Sequence, residues 1–109
     1  MAADQGGVVD LDREAVKRGL ADGSLVLVDV REPHEFEAGH IPGSMSHPLS
    51  TFDPAALPEN APGRRVVFSC RSGVRSVRAI ELAQAAGLTI NEHYRGGFKD
   101  WAEAGEPVA

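Results

Sequence analysis

Short apolar runs separated by helix-like stretches constrain the fold of this chain more than any other feature. Residues 25–28 form a continuous apolar run, as expected of a strand that is covered on both faces, and residues 65–69 form a second such strand. Residues 89–94 form a third predicted strand. Because strands that alternate with helices favour parallel pairing, the pattern predicts an α/β fold with a mostly parallel sheet and helices on both faces.

Capping and turn residues place the helices between these strands. Asp10 or Asp12 is suited to cap a helix whose apolar positions begin at Leu11 and fit a 3.6-residue period, and Gly23 lies at its end. The further predicted elements are a helical turn over residues 34–38, a short strand over 45–49, a loop with a short helix over 54–57, a helix over 76–86 with Gly87 as its C-cap, and a short helix around 98–104.

The length and charge of the chain restrict its possible functions. Its 109 residues suit one domain, predicted over residues 8–109 after a flexible tail at residues 1–7. A net charge of −5 argues against nucleic-acid binding, which needs a basic surface. The N-terminal residues lack the basic and apolar regions of a signal peptide, and no apolar run is long enough to span a bilayer. We therefore expect a cytoplasmic protein without membrane contact, in which the single cysteine stays reduced.

Cys70 is predicted to lie between a strand and a helix, where a thiol is readily activated. Free N–H groups and the positive end of the helix dipole favour the thiolate there, so no neighbouring histidine is required. Gly73 allows the loop N–H groups to turn inward into an anion-binding nest, and Arg71 and Arg75 add positive charge. This combination suits an oxyanionic substrate with an electrophilic atom, and it leaves both sulfur transfer and phosphoryl transfer open. A buried inert thiol beside solvated or ion-paired arginines is the structural alternative.

Three stretches resemble the signatures of the rhodanese (thiosulfate sulfurtransferase) family in its single-domain form. They are residues 27–36 with 39–44, residues 70–76, and residues 94–98 with Trp101 and residues 105–108. They occur in the family's order and span nearly the whole chain. The resemblance implies a five-stranded, mostly parallel sheet flanked by helices, and a two-step transfer that needs no cofactor.

By the same resemblance, Cys70 attacks the outer sulfur of thiosulfate, releases sulfite and becomes a persulfide. An acceptor such as cyanide or a thiol then takes the sulfur. The loop N–H groups are expected to hold the persulfide sulfur, and Arg71 and Arg75 to orient the anionic donor. The expected substrate-binding residues are Arg71, Ser72, Gly73, Val74 and Arg75.

Other signature residues are expected to support the site rather than to react. Asp29 and Arg31 follow a buried strand, at the carboxyl edge of the sheet where open α/β folds bind their ligands. Arg31 is expected to pair with Glu35 or with another carboxylate, and thereby to hold the walls of the site. His40 is interpreted as a hydrogen-bonding residue of the turn that contains it.

Two other functions stay open. Phosphatases and arsenate reductases of similar fold use a Cys-x5-Arg loop, whereas Cys70 and Arg75 give a Cys-x4-Arg loop that suits a sulfur atom better than a phosphoryl group. The second alternative is a sulfur-relay module that exchanges persulfide sulfur with a partner protein. The spacing of His34, His40 and His47 matches no common zinc site, so no metal is expected.

Overall fold

The computed structural model describes residues 7–109, which contain a five-stranded sheet in the order β1-β5-β4-β2-β3, with every pair of neighbouring strands parallel. The elements are β1 (Val9–Leu11), α1 (Arg13–Asp22), β2 (Leu25–Asp29), α2 (Pro33–Ala38), β3 (Met45–Ser46), β4 (Arg65–Ser69), α3 (Val74–Ala85), β5 (Glu92–Tyr94) and α4 (Gly97–Glu103), with short 3-10 helices at Leu49–Thr51 and Pro54–Ala56. This confirms the predicted α/β class and the parallel sheet. The flexible tail predicted at residues 1–7 lies outside the described residues except for residue 7.

Side chains of the central strands alternate between two apolar cores, one on each face of the sheet. On one face Val66, Phe68 and Cys70 pack with buried residues of α3. On the other face Val67 packs with residues of β2, α1 and α4 that include Trp101. Helices therefore cover both faces, as the continuous apolar runs predicted.

The start of the chain differs from the prediction. Asp12 caps α1 by accepting a hydrogen bond from the N–H of Ala15 at 2.8 Å, and Gly23 ends the helix with a φ of 77°. Asp10 and Leu11, however, belong to β1, a three-residue edge strand that the sequence analysis assigned in part to the helix. A strand this short shows no periodicity, and its position depends on pairing with β5, more than eighty residues away along the chain.

Several predicted boundaries also shift. The strand expected over 45–49 is only Met45–Ser46, because a 3-10 helix follows Pro48, and the strand expected over 89–94 is only Glu92–Tyr94. The helix expected over 76–86 begins earlier, at Val74, directly after Gly73 at a φ of 90°. The first turn of α3 therefore follows the cysteine loop at once.

Candidate active site

Two loops that the sequence predicted to be neighbours meet at the carboxyl ends of β2 and β4. Asp29 lies opposite Ser69 in the parallel register, and the N–H of Val30 donates to the carbonyl of Ser69 at 2.8 Å. The next residue after Ser69 is Cys70. Adjacent parallel strands thus bring the two segments together at the sheet edge where α/β folds bind ligands.

The sulfur of Cys70 is held by the first turn of α3. Its side chain is buried, with 1% of the residue exposed. The N–H of Gly73 donates to Sγ at 3.1 Å and the N–H of Ser76 at 3.4 Å, while the hydroxyl of Ser76 lies 3.6 Å from Sγ. A sulfur atom surrounded by donors at a helix N-terminus is in the environment that stabilises a thiolate.

The electrostatic balance at Cys70 favours the charged form. Burial raises the pKa of the thiol, but hydrogen bonds from the side chain and N–H of Ser76, and from the N–H groups of Ser72 and Gly73, lower it by more. The net effect is a pKa below the ordinary value of 9.0. The donors predicted from the loop are therefore present, and Ser76 adds a hydroxyl that the sequence analysis did not include in the site.

The other side of the loop is held by the N-terminus of α4. The N–H of Phe98 donates to the carbonyl of Cys70 at 2.8 Å, and the N–H of Lys99 donates to the carbonyl of Arg71 at 3.0 Å. These hydrogen bonds satisfy the carbonyls of Cys70 and Arg71 and attach the loop to α4. The C-terminal signature thus has a direct role in shaping the cysteine loop.

Two glycines allow this close approach. A Cβ atom on Gly97, which has a φ of 65°, would lie 2.5 Å from the carbonyl oxygens of both Cys70 and Arg71. A Cβ atom on Gly73, which has a φ of 90°, would lie 2.4 Å from the carbonyl oxygen of Arg95. Both positions combine a left-handed backbone with a backbone neighbour that has no room to move, so a side chain is excluded on two grounds.

Arg75 forms the ion pair that the sequence left open as an alternative to donor binding. Its Nη1 and Nη2 donate to the two carboxylate oxygens of Glu35 at 2.7 and 3.0 Å, joining α3 to α2. The hydrogen bond from Arg75 is the main reason that the pKa of Glu35 falls to about 2. The pKa of Arg75 is raised, chiefly by its hydrogen bond to Glu35 and to a smaller extent by the charge of Cys70.

Arg31 pairs with the carboxylate of Asp29 and not with Glu35, the one partner that was named for it. Its Nε and Nη2 contact the Asp29 carboxylate at 2.7 to 3.0 Å, with both residues 4% exposed. Nη2 also donates to the carbonyl of Gly39 at 2.8 Å, and the guanidinium lies 4.4 Å from the ring centre of Phe98. Arg31 thereby connects the end of β2 to the helix that holds the cysteine loop.

The rim of the loop is exposed and positively charged. Arg71, Ser72 and Val74 are exposed, and Val74 keeps 75% of its surface in contact with solvent. Within residues 7–109, no hydrogen bond or ion pair engages the Arg71 guanidinium. Its charge is therefore available to an anionic ligand.

A buried histidine completes the surroundings of the thiol. Nδ1 of His93 lies 2.7 Å from the hydroxyl of Ser76, and Nε2 lies 2.7 Å from a carboxylate oxygen of Asp10. Neither His93 nor Asp10 is among the site residues predicted from the sequence. No local signal was available, because Asp10, Ser76 and His93 come from three separated parts of the chain.

Outside the loop, His40 occupies the turn as predicted. Its Nδ1 lies 3.0 Å from the carbonyl of Phe36, and the two rings stack at 3.8 Å. In the described part of the chain, no three His, Cys, Asp or Glu side chains are grouped so that they could bind a metal ion. Among residues 7–109 there is also no helix with the length and apolar character needed to cross a membrane.

Comparison with known proteins gives a match over most of the chain. The profile of the family described as "Rhodanese-like domain" matches residues 12–104. A protein named "Sulfurtransferase" from Allochromatium vinosum is 35% identical over 102 residues, which is 93% of this chain and 94% of that protein. The human "Thiosulfate:glutathione sulfurtransferase" is 33% identical over 77% of this chain and 84% of that protein. An uncharacterised Synechocystis protein is 42% identical over 78% of this chain, which spans about half (47%) of that relative's length.

A solved structure shows the same fold. The human single-domain sulfurtransferase TSTD1 superposes with a TM-score of 0.74 at 31% sequence identity, covering 89% of this chain and 97% of that one. The match therefore covers most of this chain and nearly all of that one, rather than one supersecondary unit.

Proposed function

The chain belongs to the rhodanese-like domain family, and we propose that it is a sulfurtransferase that moves a sulfane sulfur from thiosulfate, or a similar anionic donor, to cyanide or a thiol. The sulfur is carried as a persulfide on Cys70. The observation that carries this proposal is the position of Sγ, which accepts hydrogen bonds from the N–H groups of Gly73 and Ser76 at the start of α3. Such a site stabilises negative charge on sulfur without a metal or an organic cofactor.

In the first step, the Cys70 thiolate attacks the outer sulfur of thiosulfate. A bond forms between Sγ and that sulfur, the S–S bond of thiosulfate breaks, and its electron pair leaves with sulfite. The exposed Arg71 guanidinium attracts the dianionic donor to the loop. The negative outer sulfur of the persulfide is held by N–H groups of residues 71–75, including those of Ser72, Gly73 and Val74.

In the second step, the acceptor attacks the outer sulfur and Cys70 leaves as a thiolate. The same N–H groups that favour the resting thiolate make Cys70 a good leaving group, because they stabilise the charge that returns to it. A thiol acceptor is supported by the human relative, which is named for transfer to glutathione.

The remaining predicted site residues support the site and do not react with the substrate. Asp29 and Arg31 hold the wall of the site, since their buried ion pair connects β2 to Phe98 above the loop. Arg75 contributes long-range positive charge to donor binding, although its hydrogen bonds are made to Glu35. A reducing cytoplasm is the compartment in which a lone reactive cysteine would be kept free.

A sulfur relay to a partner protein is the second candidate function. It is favoured by a relative from Mycobacterium tuberculosis that is named probable adenylyltransferase/sulfurtransferase MoeZ, which is 36% identical over 76% of this chain, while this chain covers 21% of that protein. In that case the donor or the acceptor is a persulfide or thiol of another protein, and the chemistry at Cys70 is unchanged.

The proposal is tested by following thiocyanate formation from thiosulfate and cyanide with the purified chain. We expect turnover in the wild type and none in Cys70→Ser. Turnover with an aryl phosphate that is lost in Cys70→Ser, without thiocyanate formation, would replace the proposal with phosphatase chemistry. Sulfur transfer from a persulfidated protein, but not from thiosulfate, would favour the relay function.

A further inference from the structure

Four side chains form a continuous hydrogen-bonded chain from the thiol to the protein surface. Sγ of Cys70 lies 3.6 Å from Oγ of Ser76, which lies 2.7 Å from Nδ1 of His93. Nε2 of His93 then lies 2.7 Å from Oδ1 of Asp10. We name these residues Cys70, Ser76, His93 and Asp10 the thiol relay.

The fold holds the relay in place. Asp10 and His93 are directly paired in the register of β1 and β5, so their side chains project from the same face of the sheet. Ser76 reaches this face from the first turn of α3 and is fully buried, and His93 is 2% exposed. Asp10, in contrast, is 51% exposed, so the relay ends in solvent.

A buried imidazole placed between a hydroxyl and a carboxylate is suited to accept a proton. In the tautomer that donates Nε2–H to Asp10, Nδ1 accepts from the hydroxyl of Ser76, whose oxygen in turn accepts from the thiol. Within residues 7–109, the charged groups that face the thiol relay, besides Cys70 and Asp10 themselves, are Arg95 and Arg75. Arg95 lies 3.8 Å from the second oxygen of Asp10 and is 76% exposed, and Arg75, which is paired with Glu35, interacts electrostatically with Cys70. Phe68, the neighbour of His93 on β4, is uncharged.

We propose that His93 is a positioning residue that takes the proton of Cys70 through Ser76 and thereby supplies the thiolate for sulfur transfer. The proton of Sγ moves to Oγ of Ser76 as the hydroxyl proton of Ser76 moves to Nδ1 of His93. The products are a thiolate that accepts from Ser76 and an imidazolium that is stabilised by the carboxylate of Asp10. The proton returns by the same path, or leaves from the imidazolium at the exposed end. This inference deepens the proposed function and rests on it for its biological meaning.

The test uses iodoacetamide, which reports the thiolate without any sulfur transfer. Because Cys70 is the only cysteine, the alkylation rate of the whole protein as a function of pH reports on this one residue. We compare the wild type with His93→Gln, Ser76→Ala and Asp10→Asn. The matched control is His34→Gln, which changes an exposed histidine of α2.

We expect His93→Gln and Ser76→Ala to alkylate roughly tenfold more slowly than the wild type at pH 6.5, and at the wild-type rate at high pH where every thiol is ionised. Asp10→Asn should slow the reaction at pH 6.5 roughly threefold, because the imidazolium loses its carboxylate. A merely structural role of His93 would lower the melting temperature without moving the midpoint of the pH profile.

The inference is wrong if folded His93→Gln keeps the wild-type pH profile. It is equally wrong if Ser76→Ala moves the profile while His93→Gln and Asp10→Asn do not, since Ser76 would then act as a local donor only. If His93→Gln does not fold, the test rests on Asp10→Asn, because Asp10 is half exposed and its replacement keeps the side-chain shape. A wild-type alkylation rate of Asp10→Asn at pH 6.5 would then show that the inference is wrong. If the variants shift the pH profile of alkylation but the wild type makes no thiocyanate, the result contradicts the proposed function and leaves the thiol relay supported.

Discussion

At the scale of single residues, Gly97 has a left-handed backbone conformation in close contact with the carbonyls of Cys70 and Arg71. We expect Gly97→Ala to destabilise the fold by about 3 kcal/mol, from left-handed strain together with a clash against the loop carbonyls. It should also slow alkylation of Cys70 at neutral pH, because the loop N–H groups move. Urea unfolding and alkylation rates measure the two effects.

The matched control for this prediction is Gly87→Ala. Gly87 has a φ of 89°, but a Cβ atom there would meet nothing within 4 Å. Its replacement should therefore show left-handed strain alone, about 1 kcal/mol, with an unchanged alkylation rate. Equal losses of stability in the two variants would show that the contact with the loop carbonyls is unimportant.

Arg71 provides a second prediction at this scale. Arg71→Ala should raise the KM for thiosulfate about tenfold with a smaller change in kcat, because one charge-assisted contact to the anionic donor is lost. Arg78→Ala, which removes an exposed arginine of α3 outside the cysteine loop, should leave both constants unchanged. If Arg71→Ala keeps the wild-type KM for thiosulfate, the prediction is wrong and other groups bind the donor.

The sequence was sufficient to identify Cys70, Gly73 and their loop, because a strand, a thiol, a glycine and a helix follow one another there in the chain. It was not sufficient to identify His93. The contact between His93 and Ser76 depends on the packing of α3 against β5, and the sequence around His93 shows only a short strand. Local patterns therefore predict a candidate nucleophile, and the structure is needed to find the buried side chains that contact it.

At the scale of elements, the pair between Arg75 and Glu35 connects α3 to α2. The pKa of Glu35 is about 2 in the folded protein, below its ordinary value of 4.5. The ion pair therefore stabilises the folded protein fully above pH 4.5, and this stabilisation is lost as the pH falls towards 2. Glu35→Gln should lower the free energy of unfolding at pH 7 by about 1 kcal/mol, and flatten its decline between pH 4.5 and 2. Denaturant unfolding across this range measures both.

The control for this pair is Glu37→Gln, an exposed position of the same helix. Glutamine at position 35 still offers an oxygen to the N–H of Glu32, so the cap of α2 is kept and only the charge is changed. If both variants lose stability in parallel with the wild type between pH 4.5 and 2, the ion pair does not contribute to acid stability.

Elements that bury a continuous apolar run were predicted well, and elements defined by their partners were not. The run at residues 25–28 and the strand at 65–69 appear as β2 and β4 in the centre of the sheet. The edge strand β1 and the short strand β3 have no fully buried residue, so their sequences carry almost no hydrophobic pattern. Their positions depend on main-chain pairing with strands that are distant along the chain.

At the scale of the whole molecule, the sheet brings the three family signatures to one edge. The first signature supplies Asp29 and Arg31, the second supplies Cys70, and the third supplies the helix N-terminus that holds the loop. The buried thiol of Cys70, which accepts hydrogen bonds from the N–H groups of Gly73 and Ser76, lies in an environment that stabilises a negatively charged sulfur atom.

The most direct test of this account is the mass of the intact protein after incubation with thiosulfate and removal of the excess. We expect the wild type to gain the mass of one sulfur atom at Cys70, to lose it on addition of cyanide, and Cys70→Ser to gain nothing. A wild-type protein that folds correctly but keeps its original mass with thiosulfate would contradict the account that Cys70 carries a sulfur taken from thiosulfate.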